Sequence, residues 1–368
     1  MRMSFHDIAL IKTLRRIFPA PTFLSLRAAG VDISDTSIKW IVLHTTNDTI
    51  RVSSYGEIPI NAGIVENGAV RDIAGLGTVL KQLKKAIHPI THVHLSLPEE
   101  SVYVFSMKAP HASSRDQIKT MIEFEFENRV PLSVDESVYD FDIINDGSGD
   151  QGLELVVTAF PRDIASNYAS ACEQAGLTAL SFENELLSTA WATIDETFQE
   201  GGTLLIDFGG SRTGIACVRG RIPLFTATIP VGSGQMTEAL VSSLGITDNL
   251  ADIFKDNQGL ISSSDSAGYK ALVPIAETLA SQVERYFRLW GSERDSTVSF
   301  IRRVVLVGGG ANVRGLPEYL SQKIRIPVVR GNIWSQIASF DEYIPPIEYD
   351  ESLQYATAIG LALRSVSL

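Results

Sequence analysis

Cysteine is scarce. Cys172 and Cys217 are the only two in 368 residues, they stand far apart, and both sit among apolar neighbours. A disulfide framework is not implied. There is no CxxC and the six histidines are scattered, which argues against a structural zinc site. Both cysteines read as core residues. No apolar run of about 18 residues occurs, so no transmembrane helix is expected. A signal peptide is not evident either, because Lys12, Arg15 and Arg16 interrupt the apolar positions near the N-terminus. A reducing, cytoplasmic setting is the default expectation. Basic residues are in the minority, 31 Lys and Arg against 43 Asp and Glu, for a formal charge of −12. That balance disfavours a nucleic-acid binder, which needs a basic footprint.

What is present is a large, ordinary apolar fraction, 45%, on a chain long enough for two domains and a sizeable core. Residues 1–24 read as an amphipathic N-terminal helix and linker. Phe5, Ile8, Ile11, Leu14 and Phe18 fall near one stripe, with basic residues between them. Pro19 and Pro21 end it. Such a helix could lie on an anionic membrane surface or pack on its own domain.

After Leu24 the chain alternates strands and helices. Three strands follow one another over "AAGVDISDTSIKWIVLHTTNDTIRVSSYGEIPI", then a helix over "DIAGLGTVLKQLKKAI" and a strand over "THVHLSLP". This is a ribonuclease-H-like order. An α+β segment at about 99–178 then reads as an insertion, with a helix near Ser114–Asn128 and a polar hairpin turn at Asn145–Gly152. The first domain, 25–198, closes with "TALSFENELLSTAWATI". Near Gly201 the pattern restarts: three strands over "GGTLLIDFGGSRTGIACVRGRIPLFTATIPVG", a helical region, then strand, glycine turn and helix over "RRVVLVGGGANVRGLPEYLSQKI". The second domain is expected at 199–349 with an insertion at about 233–296. Residues 350–368 would return to the first domain as a helix of small residues. The same opening occurs twice, at Asp32 and at Asp207, and this repeat is the most informative feature of the chain.

The turns after these strands carry the candidate chemistry. A phosphate site needs backbone N–H groups around a concavity, which glycine permits, with hydroxyl donors and a carboxylate for Mg²⁺ nearby. "DFGGSRT" supplies Asp207, Gly209, Gly210, Ser211 and Thr213, and "VLVGGGANVRG" supplies Gly308, Gly309 and Gly310 at a helix start. Each turn alone is equally a plain hairpin or a close packing turn. Neither GxGxxG nor GxxxxGK[ST] is present, so the dinucleotide and Walker A patterns fail.

Taken together, "VDISDTSIK", "IDFGGSRTG" and "LVGGGANVRGL" resemble the two phosphate loops and the adenosine loop of the actin-like superfamily, which includes actin, heat-shock chaperones, sugar kinases and FtsA. Within it, "IEFEFENRVPLSVDE", "IPVGSG" and "YATAIGLALR" resemble segments of the type IV pilus assembly PilM family. The resemblance covers about Gly30 to Arg364. It implies an α/β fold of two ribonuclease-H-like, actin-like domains flanking a nucleotide cleft, with inserted α+β subdomains. It implies ATP and Mg²⁺ as ligands and at most slow hydrolysis. It also implies a cytoplasmic adaptor, peripheral at the inner face of the plasma membrane, that receives the N-terminal cytoplasmic tail of a PilN-like single-pass membrane protein. Self-association, as in actin relatives, is open.

Carried over position by position, the resemblance places Asp32 and Asp207 near Mg²⁺. Ser34, Asp35, Thr36 and Lys39 would be at the first phosphate loop, and Gly209, Gly210, Ser211 and Thr213 at the second. Gly308, Gly309, Gly310 and Asn312 would form the adenosine loop, with Gln282 and Arg285 bordering the adenine. Glu183 would be the polar residue that orients water. The first loop departs from the family: Asp32-Ile33-Ser34-Asp35 replaces Asp-x-Gly-Ser/Thr, which loses a glycine and adds a carboxylate. A nucleotide-free scaffold of the same complex is therefore an alternative, and a small-molecule kinase of the superfamily, with Glu183 as base, is a third.

Overall fold

Short apolar runs broken by polar turns form the strands of two separate five-stranded sheets in the computed structural model. It describes residues 26–46, 49–111, 113–145, 152–194, 201–292, 301–337 and 340–366. The helix expected at 1–24 and nearly all of the turn at 145–152 lie outside the described residues.

The chain enters the first sheet as an antiparallel meander of β1 (Ala28–Ile33), β2 (Ser37–Thr46) and β3 (Thr49–Pro59). β1 is buried along almost its whole length, as a central strand covered on both faces must be. A two-stranded hairpin, β4 (Val65–Glu66) and β5 (Ala69–Val70), leads to α1 (Ile73–Ala86). Asp72 caps α1 by accepting from the Gly75 amide, and Leu76, Val79, Leu80 and Leu83 bury its inner stripe. β6 (His92–Leu97) returns parallel to β1.

The chain then leaves for a small unit of its own: β7 (Tyr103–Ala109), α2 (Arg115–Arg129), β8 (Ser137–Asn145) and β9 (Leu153–Pro161), with sheet order β7-β9-β8. Ser114 and Gln117 form a capping box at the start of α2, and Ile118, Ile122 and Phe126 pack on the sheet as a separate core. α3 (Arg162–Ala175) does not share that core. Its Tyr168, Ala171 and Cys172 pack with α1 and β6 in the first domain's core. The expected insertion of 99–178 therefore runs past the residues that the small sheet gathers. β10 (Thr178–Asn184) pairs parallel with β6, and α4 (Glu185–Thr193) follows.

The second sheet repeats the first. β11 (Gly202–Phe208), β12 (Thr213–Arg219) and β13 (Ile222–Ile229) form the meander. α5 (Ser233–Leu244), α6 (Asp248–Asn257) and α7 (Ala267–Ser292) follow, all feeding apolar residues into the second core. β14 (Ile301–Val307) lies parallel to β11, then come α8 (Leu316–Ile324) and β15 (Val328–Arg330). The orders β3-β2-β1-β6-β10 and β13-β12-β11-β14-β15 are the same arrangement twice.

After the short α9 (Tyr349–Ser352), α10 (Ala356–Leu363) is buried at every residue between α4 and β1. Its alanines and Gly360 explain that fit: a Cβ on Gly360 would run into the Ser188 backbone, and one on Gly30 into that of Ala358. Thr189 and Thr357 share a hydrogen bond of 2.9 Å between the two helices. One apolar core, containing Ile41, Leu186, Ala190 and Ile359 with the whole second sheet, joins the domains here. Cys172 and Cys217 are both buried and free, and burial pushes their thiols up to about 12 and about 11. Among the described residues no helix is long and apolar enough to cross a membrane.

Candidate functional site

The two meanders point their first turns at each other across a cleft of about 770 Å³. Asp32 is the second-last residue of β1 and Asp207 the second-last of β11. The duplication thus brings both carboxylates to the same place, at the carboxyl ends of the central strands, where open α/β sheets bind ligands. Asp32 stands opposite Lys39 across the β1–β2 pair, while Asp207 stands opposite Gly214. Ser96 on β6 donates to Asp32 Oδ1 at 2.8 Å. Burial raises the Asp32 carboxyl above its ordinary value against the pull of Ser96, Lys39 and Arg212. Burial, then the charge on Asp32, pushes Asp207 up to about 7. A divalent cation between the two would relieve both effects.

The first turn is filled by its own side chains. Ser34 Oγ accepts from the Ser37 amide at 3.1 Å and donates to the Ser37 carbonyl at 3.0 Å. Asp35 accepts from the amides of Asn67 and Gly68 at 3.1 and 2.9 Å. The extra carboxylate is therefore tied to the β4–β5 turn. Lys39 Nζ is 3.0 Å from Glu57 and donates to Ser37 Oγ at 3.2 Å.

The second turn is held by backbone. Gly209 N–H donates to the Arg212 carbonyl, and the carbonyls of Gly209 and Gly210 accept from Ser233 and Gly234 at the start of α5, at 2.9 and 2.8 Å. Those two helix-terminal amides are thereby used within the protein. The third turn needs glycine at 308, whose φ is +84 and where a Cβ would strike Asp207 and the Phe208 carbonyl. Gly210 and Gly309 face open space with nothing within 4 Å of an added Cβ.

Asp32, Ser34, Asp35, Thr36, Lys39, Asp207, Gly209, Gly210, Ser211, Gly308 and Gly309 all line the cleft. The other sequence candidates do not. Thr213 is wholly buried and donates to the Val231 carbonyl at 2.6 Å. Gly310 sits against the Phe208 ring. Asn312 donates to the Asp350 carbonyl at 2.8 Å and lines a separate depression with Asp256, Arg314 and Arg330. Gln282 and Arg285 lie on α7 and line no part of the cleft, with Arg285 over the Tyr286 ring. Glu183 lines no part of the cleft, and its carboxylate is 2.7 Å from Arg364.

The structure adds residues that sequence reasoning passed over. Glu57, Glu99, Glu185 and Glu238 line the cleft, so that among the described residues seven acidic side chains, with Asp32, Asp35 and Asp207, face two cations, Lys39 and Arg212. Glu99 is 4% exposed, and neither of its carboxylate oxygens has a hydrogen-bond partner. Burial pushes it up to about 8 against the influence of Thr226 and Asn184. Glu185, the first residue of α4, is raised well above the ordinary value by burial, opposed by Arg212. Arg212 Nη1 is 2.6 Å from Glu100 and 3.8 Å from Asp35, and Nη2 is 3.6 Å from Glu185. One signal in the sequence could have found Glu99 and Glu100: they directly follow β6, the parallel neighbour of β1, and so had to fall at the same sheet end as Asp32.

Among the described residues no three His, Cys, Asp or Glu side chains are arranged to hold a metal by themselves. Two hard carboxylates beside open glycine backbone are instead what Mg²⁺ needs when phosphate oxygens and water complete its shell. The residues present fit a Mg-nucleotide in that respect.

A family model described as type IV pilus assembly protein PilM matches residues 30–366. The chain belongs to this family. A solved PilM-PilN type IV pilus biogenesis complex contains a chain similar to it, with a TM-score of 0.77 at 20% identity, covering 93% of this chain and 99% of that one. MreB5 of Spiroplasma citri bound to ADP superposes with a TM-score of 0.52 at 11% identity, covering 92% and 97%. Cell division protein FtsA of Enterococcus faecalis is 23% identical over 367 residues, covering 85% of this chain and 82% of FtsA. FtsA of Streptococcus pneumoniae is 24% identical over 280 residues, covering 69% of this chain and 58% of that protein, so the chain spans less than two thirds of that relative's length. At these identities the likeness is one of fold: this PilM-family chain has the two-domain actin-like architecture.

Proposed function

We propose that the protein is an adaptor of type IV pilus assembly, peripheral at the inner face of the plasma membrane, that binds a Mg-nucleotide between its domains and takes the N-terminal cytoplasmic tail of a PilN-like membrane protein. The observation that carries the nucleotide part is the pair Asp32 and Asp207, set at equivalent strand ends of two duplicated sheets and facing one cleft. Asp32 and Asp207 would hold the cation, Gly210, Ser211 and Gly309 would border the phosphates, and Lys39 would supply counter-charge. When bound, the Mg-nucleotide would supply positive charge beside Asp32 and Asp207 and phosphate oxygens for the glycine turns and Lys39 to contact. Family membership and the PilM-PilN likeness support the partner, and tail binding would be linked to cleft closure by reciprocal differential affinity.

Two measurements test this reading. Calorimetric titration with Mg-ATP should give saturable binding that Asp207→Ala abolishes. A PilN-like tail peptide should bind with a different affinity when Mg-ATP is saturating, and equal affinities would remove the coupling. Absence of nucleotide binding in a folded protein would favour the scaffold reading, which has its own support in Arg212, already bridging the cleft by ion pairs. The kinase reading has less support, since Glu183, the base it would use, pairs with Arg364 and lines no part of the cleft.

A further inference from the structure

Arg212 belongs to the second domain, in the turn between β11 and β12. All three of its carboxylate partners belong to the first: Asp35 in the β1–β2 turn, Glu100 in the turn after β6, and Glu185 at the start of α4. The side chains are largely shielded, with 17% of Arg212 and between 17% and 25% of the three acids exposed. Shielded pairs of this kind are screened far less by salt than surface pairs.

Both ends of this contact are anchored to backbone. On one side, the turn carrying Arg212 is closed by the Gly209 amide and tied to α5 through Ser233 and Gly234. On the other, Asp35 is held by the amides of Asn67 and Gly68, and the Gly68 carbonyl in turn accepts from Tyr168, buried in the first core, at 2.9 Å. A guanidinium fixed to one domain and three carboxylates fixed to the other leave little slack between them. With Arg212 gone, Lys39 would be the one cation left among the described residues that line the cleft, and repulsion between its acids would act to part the domains.

We propose that Arg212 is an interdomain latch that holds the cleft closed without nucleotide, doing with one side chain what a Mg-nucleotide would otherwise do by bridging the two loops. It deepens the nucleotide reading only where ATP is added; the nucleotide-free behaviour stands apart from it.

The test is a distance distribution between spin labels on Lys81→Cys in the first domain and Gln322→Cys in the second. Both positions are exposed, and the native cysteines are buried. The parent should give one narrow distance without nucleotide. Arg212→Gln should broaden and lengthen it, and Arg212→Lys should keep it close to the parent. Glu100→Gln attacks the latch from the opposite domain and decides the matter if Arg212→Gln does not unfold cooperatively. A parent that is already broad without nucleotide overturns the latch. So does an Arg212→Gln distribution that matches the parent, or, where that variant fails to fold, an unchanged Glu100→Gln distribution. Added Mg-ATP should narrow the Arg212→Gln distribution again. If calorimetry finds no ATP binding, the nucleotide reading falls while the nucleotide-free comparison still decides the latch.

Discussion

The β1–β2 turn and the β11–β12 turn occupy the same place in two copies of one sheet, yet they are built from opposite materials. The first is held by side chains: Ser34 caps its own turn and Asp35 reaches across to the amides of Asn67 and Gly68. The second is held by backbone, with Gly209 and Gly210 packed so closely under α5 that helix amides bond directly to loop carbonyls. The first turn contributes negative charge to the cleft and the second contributes Arg212. The repeated sheet places the two turns equivalently, and their chemistry is complementary across the gap. The departure from a glycine-bearing first loop is compensated locally, since the carboxylate it adds already has donors.

The comparison can be broken most severely on the backbone side. Gly232→Ala would drive a Cβ into the Gly210 carbonyl and should cost about 3 kcal/mol in denaturant unfolding, as overpacking against rigid backbone does. A separate effect, read by pH rather than by substitution, is expected at Glu99. An acid whose folded-state pKa is raised stays protonated in the native chain while the unfolded chain ionises. Stability should fall as pH climbs from 4.5 to about 8 and level off above that. The slope is up to about 1.4 kcal/mol per pH unit. Glu99→Gln, which cannot ionise, should make this fall shallower in melts run across the window, with Asp207 and Glu185 still contributing to what remains.

Thr213→Val should cost about 1.5 kcal/mol by leaving the Val231 carbonyl without its donor. It should leave nucleotide affinity unchanged, because Thr213 faces the core. On the side-chain-built turn, Ser34→Ala removes the hydroxyl's local hydrogen bonds to Thr36 and Ser37 at a half-exposed site and should cost about 0.5–1 kcal/mol. Equal losses at Gly232 and Ser34 would show that the two turns do not differ in the way the contacts imply.

Much of the fold was legible in the chain because strand alternation, turn residues and the repeated opening are local signals. Asp207, Gly210 and Gly309 were read from strand ends followed by glycine, Asp32 from the repeated opening and Lys39 from the family pattern, and all five line the cleft. Asn312, Gln282 and Arg285 were assigned by position in a family pattern and Thr213 by the composition of its turn, and neither says which way a side chain turns. Glu183 and Glu185 show how fine that margin is. They are two residues apart, but the strand ends at Asn184, whose side chain caps α4. One carboxylate is therefore left on the sheet beside Arg364, and the other is turned into the cleft.

The sequence by itself determined two copies of one sheet, the placing of a polar turn at the end of each central strand, and a small-residue helix able to pack where larger side chains could not. Only the tertiary structure decided which charges meet. Arg212 and its three carboxylates come from four separate points along the chain, and Glu99 is buried by β13 of the other domain. Electrostatic effects of this size depend on distance and desolvation, which no local pattern of residues records until the domains are brought together.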